Sequence, residues 1–81
     1  MTNKFEVLHR QYLVGRGYVT VINNKDNIPI STSSVIIQDD EEIPIRGIEG
    51  AMTLMTIPKP YPQLGLITNK ETTGDYIIVK S

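Results

Sequence analysis

The sequence predicts an all-β fold, a small closed antiparallel barrel of six short strands. Apolar residues alternate with polar ones along most of the chain, β-branched residues dominate the apolar runs, and turn formers interrupt these runs at intervals of roughly ten residues. A chain of 81 residues is predicted to form one domain, residues 1–81. Such a small sheet removes its unpaired strand edges most simply by closing on itself.

The individual strands follow from their residue types and from the residues that bound them. Strand 18–22 contains valine, threonine and isoleucine, and the polar run 23–27 ends it. Ile28 is predicted to be extended because a following proline keeps a residue out of the α region. Pro44 cannot donate a backbone hydrogen bond, so it belongs at a sheet edge or at a strand start. The other apolar runs of the predicted barrel lie at 5–8, 12–14, 35–37, 43–49, 64–67 and 76–79.

Two regions leave the strand pattern open. Residues 50–57 settle into neither period, so a short strand and one helical turn both fit them. Residues 58–62, Pro-Lys-Pro-Tyr-Pro, are predicted to form a stiff extended loop between two strands. A polyproline ligand for an aromatic-lined groove is the less favoured interpretation, because such ligands usually contain a longer proline run. Either 64–67 or 74–79 supplies the strand that closes the barrel.

The composition predicts a small protein of the cytoplasm. The chain has no cysteine, which excludes disulfides and thiolate zinc sites, and no apolar stretch approaches the ~20 residues of a membrane span. Its polar first residues do not have the pattern of a signal peptide. The formal net charge is −1, and the eight lysines and arginines are scattered. The sequence therefore offers no basic stripe for sequence-independent binding of nucleic acid.

The segment Gly15-Arg16-Gly17 lies between two predicted strands and has two interpretations. Glycine adopts positive φ without steric cost, so Gly15 and Gly17 suit a tight hairpin turn. A phosphate-binding loop would need further glycines, a following helix and usually a Lys-Ser/Thr pair, whereas a strand follows here. A structural turn is therefore the predicted role of both glycines.

The sequence YLVGRGYVTV, residues 12–21, resembles the second-domain β-barrel of elongation factor Tu and related translational GTPases. In that family an apolar run, Gly-Arg-Gly and a Val/Thr-rich strand precede an I-x-V step, a V-x-I strand and a strand ending in Gly-Ile/Val-Glu. The corresponding residues here are 28–30, 35–37 and 45–49, and the similarity extends over about residues 4–68. The resemblance implies a translation-factor barrel acting as a stand-alone domain.

The same resemblance implies a binding role without GTP hydrolysis. In the factors, the strand that corresponds to Glu49 helps to form the pocket for the aminoacyl 3′ end of tRNA. Glu49 matches the motif, but Gly50-Ala51-Met52 stands where the family has Met-Phe-Arg/Lys. The chain contains no G-x-x-x-x-G-K-[ST], and residues 24–27 lack the correctly spaced aspartate of the Asn-Lys-x-Asp guanine reader. We therefore expect no bound nucleotide.

No catalytic or metal-binding constellation can be assembled from the sequence. The acidic run 39–42 is predicted to be a solvated hairpin tip, because calcium needs about six to eight oxygens from spaced ligands. His9, the single histidine, has no triad pattern near it. Ser31, Ser33 and Ser34 lie in a polar loop without a nucleophile elbow. We expect no cofactor, no metal ion and no enzymatic activity.

Two binding hypotheses remain. The first is a non-catalytic module that binds a protein or, with less support from the charge pattern, the end of a tRNA or another RNA. The second is a small immunity-type or interaction protein that neutralises a partner by mimicking the barrel. An edge strand that pairs with a second copy would add a homodimer. The predicted contact surface comprises Arg16 and Arg46, expected on neighbouring strand ends, together with Glu49, Met52, Leu54 and Tyr61.

Overall fold

The computed structural model describes residues 1–50 and 63–81. These residues form one sheet of seven strands in which every neighbouring pair is antiparallel, and they contain no helix. The order across the sheet is β4-β3-β7-β1-β2-β6-β5. The strands are β1 (Thr2–Leu13), β2 (Gly17–Asn23), β3 (Val35–Gln38), β4 (Glu41–Pro44), β5 (Gly47–Gly50), β6 (Gln63–Thr68) and β7 (Tyr76–Lys80).

The structure confirms the all-β prediction and corrects its strand count. The run 43–49, expected to form one strand, is divided between β4 and β5. The predicted strands at 64–67 and 76–79 are confirmed as β6 and β7, and both lie inside the strand order, so neither closes the described sheet. No ladder joins the two end strands of the described sheet, β4 and β5, so the closed six-stranded barrel is not confirmed. The predictions for 51–62 lie outside the described residues.

The division between β4 and β5 has a clear cause in the backbone hydrogen bonds. The amide of Ile45 donates to the carbonyl oxygen of Ser34 over 3.3 Å, beside β3. The next amide, that of Arg46, donates to the carbonyl oxygen of Ile67 over 2.7 Å, in β6. The chain therefore changes its bonding partner between two consecutive residues and links the two ends of the sheet covalently.

The long strand β1 belongs to both halves of the sheet. Its first part pairs with β7, from Thr2 opposite Lys80 to Glu6 opposite Tyr76. Its second part pairs with β2, and the register shifts between Val7 and His9. A bulge of this kind inserts one extra residue and bends the strand. It also exchanges the faces on which odd-numbered and even-numbered residues lie.

The main core covers one face of this bent sheet, and a smaller cluster covers the other face of β2 and β6. Side chains alternate between the faces of a strand, so the burial of four consecutive residues in β2 means that both of its faces are covered. The smaller cluster contains Val19, Val21 and Ile67, with Leu8 and Leu13 packed against it. The main core consists of Phe5, Ile22, Ile36, Ile43, Ile45, Leu66, Ile77 and Val79.

The core face of β2 changes from apolar to polar towards the β1–β2 hairpin. Ile22, Thr20 and Tyr18 alternate along this face, and Thr20 is buried although it is polar. Thr20 lies opposite Arg10 of β1, and Tyr18 lies opposite Tyr12. One end of the sheet therefore presents polar side chains and tyrosines where the rest of the face is apolar.

Candidate functional site

The β1–β2 hairpin forms one end of the sheet and turns at residues 14–16. Leu13 pairs with Gly17, and the amide of Arg16 donates to the carbonyl oxygen of Leu13 over 2.9 Å. Gly15 has φ +82° and Gly17 has φ +117°, which is backbone that residues with a Cβ rarely adopt. A Cβ on Gly17 would lie 2.7 Å from the carbonyl oxygen of Thr68. Glycine at position 17 therefore allows the hairpin to contact the end of β6.

The tip of this hairpin exposes apolar and aromatic surface. Val14 is 91% exposed and Tyr12 is 58% exposed. The rings of Tyr12 and Tyr18 meet edge to face with their centroids 5.0 Å apart, which holds Tyr12 in a defined position. Arg16 stands beside them at the turn. Aromatic residues and arginine are enriched among the residues that dominate the energy of protein interfaces.

Arg16 and Glu49, two of the predicted contact residues, form an ion pair between Nη2 and Oε1. Arg16 is at the hairpin turn and Glu49 is in β5, with β6 between β2 and β5. The carboxylate side chain is 17% exposed and the guanidinium side chain 54% exposed. The pair therefore fixes the orientation of Arg16 while leaving much of it accessible to a partner.

Arg46 lies at the same end of the sheet as Arg16 but in a different environment. The starts of β2 and β5 both flank the end of β6, so one strand separates the two arginines. Arg46 is exposed and lines a groove of about 140 Å³ together with Glu41, Asn69 and Lys70. Within residues 1–50 and 63–81 the structure records no ion pair for Arg46. The structure thus joins Arg16 to Glu49 and leaves Arg46 apart.

The remaining predicted contact residues, Met52, Leu54 and Tyr61, lie outside the described residues.

A pocket that sequence reasoning missed lies beneath the hairpin. It has a volume of about 100 Å³ and is lined by residues of β1 and β2 and of the connection 69–75 between β6 and β7. Arg10, Tyr12, Tyr18, Thr20, Glu71 and Thr72 contribute to its walls. Arg10 was missed because alternation from Phe5 and Val7 assigns it to the outer face, and only the bulge brings it to the core face. No feature of the local sequence predicts the bulge between Val7 and His9.

Hydrogen bonds hold the half-buried Arg10 in one orientation. Its Nε donates to Oγ1 of Thr72 over 2.9 Å, and its Nη2 donates to the carbonyl oxygen of Gly74 over 2.7 Å. The hydroxyl oxygens of Thr72 and Thr20 lie 2.7 Å apart, and both threonines are buried. The pocket therefore contains an oriented guanidinium supported by two buried hydroxyl groups.

The residues considered for catalysis and metal binding have other contacts. Nε2 of His9 lies 3.1 Å from Oε1 of Gln11, and Oγ of Ser31 lies 2.7 Å from Oγ of Ser33. Among the residues that the structure describes, no group of three or more histidines and acidic residues is placed to hold a metal ion. No helix in this part of the chain is long and apolar enough to span a membrane.

Comparisons with protein-family models, with curated proteins and with solved structures find no match to this chain. The resemblance to the second domain of the translation factors therefore rests on the sequence motifs alone.

Proposed function

We propose that this chain is a non-catalytic protein-binding module whose contact surface is the β1–β2 hairpin end of the sheet. The observation that carries the proposal is the exposure of Val14 and Tyr12 beside Arg16. A valine that is 91% exposed gains almost no hydrophobic stabilisation in the monomer, because that stabilisation requires removal of apolar area from water. Its burial by a partner would supply that stabilisation.

The charges support a protein partner over RNA. Three of the eight basic side chains, Arg16, Lys70 and Lys80, are already paired with glutamates. The formal net charge of −1 adds no general attraction to phosphates. Affinity for nucleic acid depends mainly on the neutralisation of phosphates by free lysines and arginines. The other lysines and arginines are scattered along the sequence and form no basic run.

The proposal includes the closed barrel and the translation-factor likeness of the fold. Support for closure comes from the consecutive amides of Ile45 and Arg46, which donate to Ser34 beside β3 and to Ile67 in β6, next to opposite ends of the strand order. If β4 and β5 are counted as one bent strand, the sheet has the six strands of the family barrel. A cytoplasmic location is part of the same proposal and rests on the absence of cysteine.

Site-directed photo-crosslinking tests the contact surface directly. A photoreactive amino acid at position 14 is compared with the same amino acid at position 26, an exposed loop residue beyond the other end of β2. In cells that express the protein, we expect a discrete crosslinked protein from position 14 and none from position 26. Equal crosslinking from both positions, or none from position 14, would contradict the proposed surface.

The RNA alternative is tested by titration with tRNA at low and at physiological salt. We expect no saturable binding at either salt concentration. Saturable binding that weakens steeply with salt would instead assign the surface to nucleic acid. If a crosslinked partner loses its own activity on binding, the chain acts as a neutralising protein of the immunity type.

A further inference from the structure

The guanidinium of Arg10 has more N–H donors than the hydrogen bonds recorded for it use. An arginine side chain carries five N–H donors, and the structure records hydrogen bonds from Nε to Thr72 and from Nη2 to Gly74. No acceptor among residues 1–50 and 63–81 takes the remaining N–H groups, and none of the ion pairs recorded there involves Arg10. Arg10 is half-buried and lines the pocket, so these N–H groups are available to a ligand that enters it.

The two recorded bonds also select which donors remain. Nε and one hydrogen of Nη2 are engaged on one side of the guanidinium, so both hydrogens of Nη1 and the second hydrogen of Nη2 are left. One of the Nη1 hydrogens and the remaining Nη2 hydrogen form the end-on fork of the guanidinium, which matches the two oxygens of a carboxylate. The buried pair of Thr72 and Thr20 prevents the fork from rotating. A ligand would therefore meet a donor pair whose orientation is already set.

The walls of the pocket restrict the ligand further. Tyr12 and Tyr18 provide an aromatic side that suits the methylene groups of a short side chain. A volume of about 100 Å³ is large enough for a short side chain but too small to enclose a nucleotide. Glu71 also lines the pocket, and its charge disfavours a ligand that carries several negative charges.

We infer that this pocket binds the side-chain carboxylate of an aspartate or glutamate in a segment of the partner protein. The carboxylate oxygens accept hydrogen bonds from the end-on fork of Arg10, and the methylene groups pack on Tyr12 and Tyr18. This inference rests on the proposed protein-binding function and specifies the chemistry that the partner presents. Tyr12 lines the pocket and is exposed beside Val14, so one partner segment can cover the tip and enter the pocket.

The test is an NMR titration that detects backbone amides and the Nε–H of arginine. The probes are glutamate with acetylated amino and methylamidated carboxyl ends, the corresponding glutamine compound, and dimethyl phosphate. We expect the glutamate compound to shift the Arg10 Nε–H and the amides of Tyr12 and Tyr18, with a Kd on the order of millimolar. The neutral glutamine compound should produce less than about one tenth of the shift, because it lacks the charge that strengthens these bonds.

Four variants distinguish the contribution of the Arg10 fork to ligand binding from effects of net charge and of unfolding. Arg10→Lys keeps the charge but loses the fork and should weaken binding about tenfold. Arg10→Gln should abolish it, whereas Lys25→Gln, which removes the same charge from an exposed site at the other end of β2, should leave it unchanged. Glu71→Gln changes only an exposed side chain and should strengthen binding severalfold at low salt. This last variant keeps the inference testable if either Arg10 variant unfolds.

Each result decides the inference. Equal shifts with the glutamate and glutamine compounds, unchanged affinity in Glu71→Gln, or shifts that do not involve Arg10 would overturn it. Tighter binding of dimethyl phosphate at the same residues would overturn it in favour of a phosphodiester ligand. Crosslinking from position 14 does not depend on any of these outcomes, so failure of the carboxylate pocket is distinguishable from failure of the protein-binding function.

Discussion

The two hairpins of the sheet, β1–β2 and β3–β4, reverse the chain with opposite chemistry. The first has glycines at positions 15 and 17 and an exposed valine, Val14, in its turn. The second turns at Asp39 and Asp40, whose φ angles are +53° and +64°. Two positive φ angles in a two-residue loop are typical of the turns that match the twist of a hairpin. The first turn therefore presents an exposed valine next to an arginine, whereas the second presents only acidic side chains.

The surroundings of the turns extend this difference. The strand after the acidic turn, β4, is an end strand of the described sheet, and Glu41 and Glu42 pair with Lys70 and Lys80. Charged side chains and a proline at a sheet edge, here Pro44, discourage pairing with another chain. The second hairpin thus has ion-paired acidic side chains along the end strand, whereas the first exposes Val14 and Tyr12 to solvent.

The connection 69–75 forms hydrogen bonds with both hairpins, and those of Thr72 with the first hairpin are more buried than the one of Thr73 with the second. It reaches the first hairpin through the buried hydroxyl of Thr72, which contacts Thr20 and Arg10. It reaches the second through the exposed amide of Thr73, which donates to Oε1 of Gln38 over 2.8 Å. Buried hydrogen bonds cost more to break than exposed ones because water cannot replace them. Substitutions around the first hairpin should therefore have the larger effects.

The largest effect is expected from Gly17→Ala. The added Cβ would lie 2.7 Å from the carbonyl oxygen of Thr68, and alanine at φ +117° is strained even without that contact. Backbone strain of this kind costs about 1–3 kcal/mol, and the contact adds to it, so we expect a loss of at least about 2 kcal/mol of unfolding free energy. Urea denaturation followed by circular dichroism measures the loss.

Gly15→Ala is the matched control for this prediction. Gly15 also has positive φ, at +82°, but no atom lies within 4 Å of its added Cβ. Only the backbone term remains, so we expect a loss of about 1 kcal/mol. If the two alanine variants lost equal stability, the close approach of the hairpin to β6 would not contribute, and the first hairpin would be no more constrained than a free turn.

A smaller loss is expected from Thr72→Val. Valine preserves the shape of the side chain but removes the hydroxyl that contacts Thr20 and accepts from Arg10. An unsatisfied buried polar group costs about 1–3 kcal/mol, and we expect a loss of about 1–2 kcal/mol in urea denaturation because Arg10 is only half-buried. The NMR signal of the Arg10 Nε–H should also shift.

Thr73→Val, the substitution of the neighbouring exposed threonine, is the control. Its backbone amide keeps its bond to Gln38, so we expect a change within about 0.5 kcal/mol and no shift at Arg10. Losses of similar size in the two variants would mean that the buried hydroxyl pair does not stabilise the base of the first hairpin.

The strand positions were predictable from the sequence, whereas the faces of β1 and the pocket were not. Period-two alternation and β-branched residues locate most of the strands, because these features arise from residues close in sequence. The bulge between Val7 and His9 depends on the pairing of β1 with β2, which is a tertiary property. The bulge places Arg10 on the core face, and the pattern of apolar residues in the sequence does not predict this placement. The contribution of Thr72 comes from a connection 52 residues away from Thr20.

The ion pair of the candidate site shows the same limit. The motif resemblance predicts Arg16 and Glu49 as contact residues, but their direct contact depends on the strand order β2-β6-β5. The sequence places them 33 positions apart and contains no signal for that order. The division of 43–49 into two strands also follows from a change of partner at Ile45 and Arg46, because hydrogen bonds between distant segments set strand ends.

The smallest effect, and the only expected gain, comes from Asp40→Gly in the second hairpin. Asp40 adopts φ +64°, which glycine adopts without strain. Asp-Gly is a favoured pair in two-residue hairpin loops with this geometry, and residue 39 is already aspartate. We expect the variant to gain about 0.5–1 kcal/mol in urea denaturation, since relief of the backbone strain exceeds the extra chain entropy of glycine in the unfolded state.

Two further variants separate the backbone effect from the removal of charge in the acidic run. Asp26→Gly removes one negative charge at an exposed turn residue without positive φ, so it should lose up to about 0.5 kcal/mol. Asp40→Asn removes the charge while keeping a side chain that tolerates the left-handed region, so it should gain less than Asp40→Gly. Equal gains from the two substitutions at position 40 would mean that charge repulsion, not backbone strain, limits this turn. The acidic residues would then lower the stability of the β3–β4 hairpin only through their charge. The two hairpins would differ in surface chemistry and not in backbone strain.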